Sequence, residues 1–296
     1  MLRSVRVFVS GVAVAAGLFS VPSMSFAQAP SPASVTKPQA VVVDENELDF
    51  SIINLPTSRP LARFKSSFHL THRFLGNLRQ GSFKDNLGNV FGIDNGAVIG
   101  VEYRFAVTDS LQATFYRSSA DKTIQFSAKF DALRQTDTMP VSISLIGSVE
   151  GNQNFGLLTS GDDHSHTAGA HEHKAPAVGG VVSRTFGQRA AFYAVPVFVH
   201  NSLKLDETTH RNTFVLGMGA RLQVLPTVYV VGEVAPRLKG YAPGKPEFGF
   251  GIEKHAGWHV FQITFSNSSA TTFGQIARGG FPTTIYLGFN LGRKFL

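Results

Sequence analysis

The chain of 296 residues has no cysteine. Disulfides are excluded, and so is attachment of a lipid to a cysteine. Small exported domains usually depend on disulfide staples, so an exported chain without them needs another source of stability. Beyond the N-terminal segment no run of 18 apolar residues occurs, which excludes a helical membrane span. Amphipathic helix periodicity is scarce as well. Charged residues make up 16% of the chain and form neither a basic helix nor an aromatic-basic ribbon, so nothing points to nucleic acid. No GxSxG and no HExxH occurs, which removes the local signatures of two hydrolase classes.

What is abundant is Phe (26), Gly (29), Ser and Thr. Aromatic-rich alternation joined by Gly-rich connections is the composition of β-structure. The first 27 residues predict a signal peptide. Arg3 and Arg6 precede the short apolar run Val7 to Phe19, and Ser25-Phe26-Ala27 offers small residues before Gln28. Removal of Arg3 and Arg6 leaves 25 basic against 20 acidic residues, a net charge of +5. Residues 61–296 predict the folded domain. Residues 28–60 predict a Pro/Ala/Ser-rich linker and a periplasmic lead-in, DENELDFSIINLPTSRP, that tucks under or into that domain.

The end of the domain sets its reading frame. In TTIYLGFNLGRKFL, Thr283 to Leu296, one face carries Ile285, Leu287, Phe289, Leu291 and Phe295. The other carries Thr284, Tyr286, Gly288, Asn290, Gly292 and Lys294. Such alternation is a strand with one apolar side, and a tilted strand of roughly 9–11 residues crosses a bilayer. The segment resembles the closing strand of outer-membrane barrels, with Leu296 in place of a terminal Phe.

Twelve strands are predicted: Leu61–Phe74, Ala97–Val107, Leu111–Ser118, Lys122–Leu133, Val141–Gly151, Val178–Phe186, Ala190–Asn201, Thr213–Val224, Thr227–Arg237, Glu247–Lys254, His259–Ser266 and Thr283–Phe295. Connections after even-numbered strands are short, such as Thr108-Asp109-Ser110 and Leu225-Pro226. Those after odd-numbered strands are longer, such as Leu75–Gly96 and Asn152–Ala175, with Ser119–Asp121 the exception. Short periplasmic turns and long outer loops are the habit of outer-membrane barrels. The fold class expected is therefore an all-β, antiparallel transmembrane β-barrel of about twelve strands. The polar faces carry Lys65, Arg73, Glu102, Arg104, Lys129, Arg221, Glu233, Glu253 and Lys294. In mid-bilayer hydrocarbon each would cost about 2–4 kcal/mol, so these faces are assigned to the lumen.

The phrases IINLPTSRPL, FHLTHRF and GIDNGAVIGVEYRFAVTDSLQATFYRSSADKTIQFSAKF, with PVFVH, GWHVFQITFSNS and GFNLGRKF later, resemble an uncharacterised bacterial family of outer-membrane β-barrels. The resemblance spans Asn54 to Phe295. It implies a barrel fold and an outer-membrane location, and no catalytic residues.

Site candidates are few. Asp162 to His173, DDHSHTAGAHEH, holds His164, His166, His171 and His173 beside Asp162, Asp163 and Glu172. In a looped segment these imidazoles can meet on one copper, zinc or nickel ion; the bland reading is a hydrophilic outer loop. No cofactor is otherwise required. His69 is placed on the lumen face and His72 on the opposite register. His69, like His200 and His210 near an outer loop, is read mainly as a hydrogen-bonding filler. For a hydrolase, Thr71 beside His69 is the local nucleophile, and Ser118 and Ser119 have no local base; no enzyme is expected. GIDNG at 92–96 reads as a turn, with a weak calcium site as the alternative. Function is expected to be that of a pore or small-solute transporter, whose basic excess would favour anions. The alternative is a plugged structural or binding barrel with a metal-collecting loop. Outer-membrane lipids and the assembly machinery are the expected partners.

Overall fold

The computed structural model describes residues 49–152, 155, 174–202, 212–242 and 244–295. Its strands are β1 (Ser66–Asn77), β2 (Ala97–Ala106), β3 (Leu111–Ser118), β4 (Ile124–Leu133), β5 (Ser142–Gly151), β6 (Lys174–Phe186), β7 (Ala190–Val199), β8 (Thr213–Leu225), β9 (Val228–Ala235), β10 (Arg237–Lys239), β11 (Glu247–Ala256), β12 (His259–Ser266) and β13 (Tyr286–Phe295). All pairings are antiparallel, in the order β10-β8-β7-β6-β5-β4-β3-β2-β1-β13-β12-β11-β9, and a further β8–β9 pairing closes the ring. β10 resumes β9 after Pro236, whose missing N–H interrupts the ladder. The two form one stave, so the barrel has twelve. Closure pairs every strand on both sides, which a span in lipid requires.

Period-two alternation gives the wall its two faces. Phe115, Phe126, Phe192, Phe198, Phe250 and Ile263 are exposed on the outside. Arg73, Arg104, Lys129, Arg221, Glu233, Glu253 and Lys294 are buried inside, on the lumen face as expected. The last strand meets the first in a continuous register from Ser66↔Phe295 to Arg73↔Gly288.

All twelve expected strands form, with some ends moved. β1 begins at Ser66 and not at Leu61. Leu61 is instead buried (1% exposed), and the chain turns onto the wall at Phe64, which takes a left-handed φ of 62°. Lys65 is consequently an exposed rim residue, not a lumen charge. β6 begins at Lys174 and not at Val178, because Lys174 to Ala177 pair with Gly151 to Ser148. The connection 78–96 contains a short helix, α1 (Phe83–Gly88), and a 3-10 turn (Val90–Asn95). The connection 267–285 contains a second, α2 (Phe273–Ala277), whose residues Gly274 to Ala277 are buried.

Candidate functional site: the occupied lumen

The lumen is filled by the chain itself. From the short-turn end, residues 49–61 enter and fold back as a tight hairpin. Ile52 N–H donates to the Leu55 carbonyl (2.8 Å) and Thr57 N–H to the Phe50 carbonyl (2.9 Å), with Ile53 and Asn54 at the tip. A buried hairpin tip exposes backbone groups that must find partners, and the wall supplies them. The Glu233 carboxylate accepts the N–H groups of Ile53 (3.0 Å), Asn54 (2.9 Å) and Leu55 (3.0 Å). The side chain of Asn54 accepts from Arg73 Nη2 (2.8 Å) and donates to Glu247 (3.3 Å).

The hairpin carbonyls are taken up in the same way. Arg221 donates to Ser51 O (2.7 Å), Gln262 to Ile52 O (2.6 Å) and Asn290 to Ile53 O (3.0 Å). Lys129 donates to Thr57 O (3.1 Å) and Gln112 to Arg59 O (3.1 Å). Arg59 and Arg104 each stand 4.9 Å over the Phe50 ring. Burial alone would raise the Asp49 carboxyl, but Lys294, His69 and Arg221 hold it well below the usual carboxylate range.

One side of the hairpin is apolar. Ile52, Ile53 and Leu55 belong to a core with Tyr193, Val195, Val215, Tyr229 and Val231 of the wall. Burying each such side chain contributes on the order of 2 kcal/mol. Gly217 and Gly219 of β8 make the room: a Cβ on Gly219 would lie 2.4 Å from Ile52 Cδ1 and one on Gly217 2.8 Å from Leu55 Cδ1.

From the long-loop end the lumen is entered by residues 268–277. Glu150 accepts Gly274 N–H (2.9 Å) and a bond from Gln125 (3.2 Å). Arg278 donates to Ser202 O (3.0 Å) and Asp121 (3.3 Å). Ile276, Ala277 and Ala270 pack on the same apolar core as the hairpin. Between hairpin and loop lies a polar cavity of about 60 Å³, whose lining includes Asn54, Glu102, Arg104, Tyr116, Lys129 and Thr271. It has room for roughly four waters.

The expected site residues scatter. His69 is on the lumen face near Asp49 and Glu102. His72 points outward and stacks on Phe289, with ring centroids 4.8 Å apart. Thr71 Oγ1 meets the Tyr116 hydroxyl (2.8 Å), not an imidazole. Ser118 and Ser119 accept backbone N–H groups of Ala120 (3.2 Å) and Ile99 (2.9 Å). His200 Nδ1 bonds Asn212 Oδ1 (2.7 Å). Residues 92–96 form turn structure, with Gly92 N–H donating to Asn89 Oδ1 (3.0 Å). His164, His166, His171, His173 and His210 lie outside the described residues. Among the described residues no three His, Asp or Glu side chains gather as a metal site would need.

Sequence reasoning missed Asp131, Glu150 and Glu247. Asp131 shares the parity of Lys129, and the two pair at 3.2 Å. Glu247 shares the parity of Glu253, which is paired to Arg221 (2.8 Å) and His255 (2.6 Å). The period-two signal was available for all three, since Glu150 shares the parity of Ser144 and Ser148 in β5.

Residues 48–295 match the family described as a membrane-bound β-barrel domain, DUF5777. The chain belongs to that family. No curated protein matches it. Among solved structures, this DUF5777 barrel is similar to the KdgM porin at 9% identity and a TM-score of 0.44, covering 78% of this chain and 98% of that one. It is similar to the NanC porin at 8% identity and a TM-score of 0.44, covering 78% and 99%. For Omp33 of Acinetobacter baumannii the values are 9%, 0.41, 78% and 98%.

Proposed function

We propose that this protein is a non-enzymatic outer-membrane barrel of a diderm bacterium that works with its lumen filled, as a structural or binding barrel presenting its long-loop end outward. The observation that carries the reading is the capture of hairpin 49–61, whose backbone is bonded group by group to Glu233, Arg221, Gln262, Asn290 and Lys129. An open pore, the role favoured by the Gly-, Ser- and Thr-rich lumen face, would draw on the same side chains for its hydration. Emptying the lumen would also expose Val195, Val215 and Val231 to water. The signal-like N-terminus and the short-turn and long-loop asymmetry support the outer membrane, with its lipids and assembly machinery as partners. Engagement of Thr71 with Tyr116 supports the non-enzymatic reading.

Planar-bilayer recording of the folded full chain tests this, with heat-modifiable gel migration as the check on folding. A silent barrel is expected. Steady single-channel steps from the folded wild-type chain would overturn the filled-lumen reading and restore the pore.

A further inference from the structure

The connection between β1 and β2 has its amphipathicity inverted. α1 opens with a capping box in which Ser82 and Asp85 satisfy one another's backbone N–H groups. It turns its polar Asn86 inward, where Nδ2 donates to the Leu78 carbonyl (3.0 Å) and the residue is 9% exposed. Phe83 and Leu87, one turn apart on a common face, point away from the protein at 74% and 57% exposure. A helix facing water places these groups the other way round.

The next segment continues the pattern. Val90 and Phe91 hold left-handed φ values of 50° and 55°, uncommon for bulky side chains and costly for branched Val. In this conformation Val90 (49%) and Ile93 (44%) stay exposed, and the Phe91 ring lies 6.0 Å from that of Phe83. Strain that leaves apolar groups outside gains nothing in water.

The position of this segment says what meets it. Phe68, Leu70, His72 and Phe74 alternate onto the outward face of β1, and Gly76 is next in that series. The β1–β2 ladder runs on without a slip, since Leu75 N–H donates to Gly96 O (3.0 Å). A Cβ on Gly76 would lie 2.1 Å from Gly92 Cα, so the 3-10 turn is laid directly on that outward face. Below it, Phe74, His72 and Phe289 form a ring cluster, with Phe74 and Phe289 centroids 6.1 Å apart. The exposed residues of the loop are thus continuous with the apolar outside of the β1–β13 seam, the surface a membrane-bound barrel gives to lipid.

We propose that Phe83, Leu87, Val90 and Ile93 form an interfacial anchor, inserted among lipid acyl chains near the headgroups at the long-loop end of the barrel. The occupant is lipid and not a second copy of the chain, because the patch extends the surface already in lipid. Such an anchor serves a filled and a conducting barrel alike.

Single-tryptophan fluorescence tests it in the full chain. With Trp258→Phe as background, Phe83→Trp and Leu87→Trp place a reporter on the patch, and Lys84→Trp places one on the polar side of α1. Each variant is reconstituted in phosphatidylcholine vesicles, with and without lipid brominated close to the headgroup, after its folding is confirmed by heat-modifiable migration. The expected result is blue-shifted emission from Phe83→Trp and Leu87→Trp, with most of the intensity lost to brominated lipid. Lys84→Trp should emit further to the red and be quenched by aqueous iodide instead. Two outcomes would overturn the anchor. One is iodide quenching of all three reporters without a bromine effect. The other is protection of the patch from both quenchers together with cross-linking into dimers. The two patch positions are independent, so one failure to fold leaves the other to decide.

Discussion

Glu233 and Asn54 are 179 residues apart, and the backbone N–H of Asn54 bonds both carboxylate oxygens of Glu233, at 2.9 and 3.1 Å. The N–H groups of Ile53 and Leu55 complete the cradle at 3.0 Å each. Three consecutive donors around one carboxylate fix the hairpin tip at a single point of the wall.

That point is testable because the chain has no cysteine. Ser51→Cys, next to the tip and 8% exposed, serves as a reporter for a maleimide reagent. Protection is expected in the otherwise native barrel. Glu233→Ala leaves three buried N–H groups without an acceptor, at about 1–3 kcal/mol each where water does not replace it. Labelling of Ser51→Cys should then accelerate, with Glu233→Gln intermediate because it keeps one acceptor oxygen. Equal labelling rates across the series would show that Glu233 does not hold the hairpin.

Gly219 offers a steric test of the same contact. Gly219→Val pushes a branched side chain toward Ile52 Cδ1, which a Cβ alone would approach to 2.4 Å. Overpacking of this kind costs about 1–3 kcal/mol, read as an earlier midpoint in urea unfolding from vesicles. Adding Ile52→Ala should recover part of the loss, since it removes the clashing atoms. A double variant no more stable than Gly219→Val would place the cost elsewhere in the wall.

The histidine loop is tested by metal titration. If His164, His166, His171 and His173 share an ion, calorimetry on the folded barrel should find modest affinity, with copper bound more tightly than zinc. Neutral imidazole is the ligand, so binding is full above the ordinary histidine range and weakens as pH falls through about 6.5. Deleting residues 162–173 should abolish the heat. Equal uptake by the shortened chain would remove the site.

How far the architecture could be read in advance depended on the range of the interactions involved. Strand faces are local: Ile99, Val101 and Tyr103 against Glu102 and Arg104 is a pattern of neighbours, and the wall bears it out. Pro236 and the left-handed Phe64 are local too, but they act on pairing partners such as Val215 and Ala106, so the ends they set were misplaced. The helix α2 was missed because its five residues carry no amphipathic period. Its place depends on Glu150 and on the apolar lumen patch, not on propensity.

The wall was legible in the sequence alone: twelve staves, one face for lipid, one face polar and, Ser119–Asp121 apart, short connections alternating with longer ones. These follow from a two-residue period and from the cost of charge in hydrocarbon, which any stretch of about ten residues displays. What satisfies the polar face follows from the folded arrangement in space. Water and a backbone hairpin make the same hydrogen bonds to Glu233, Arg221 or Asn290, so the residues that line a pore and those that grip a plug read alike. The choice lies in whether residues 49–61 can match those groups across 170 to 237 positions of chain while burying Ile52, Ile53 and Leu55. That match is one of shape and register in space, and no local period encodes it.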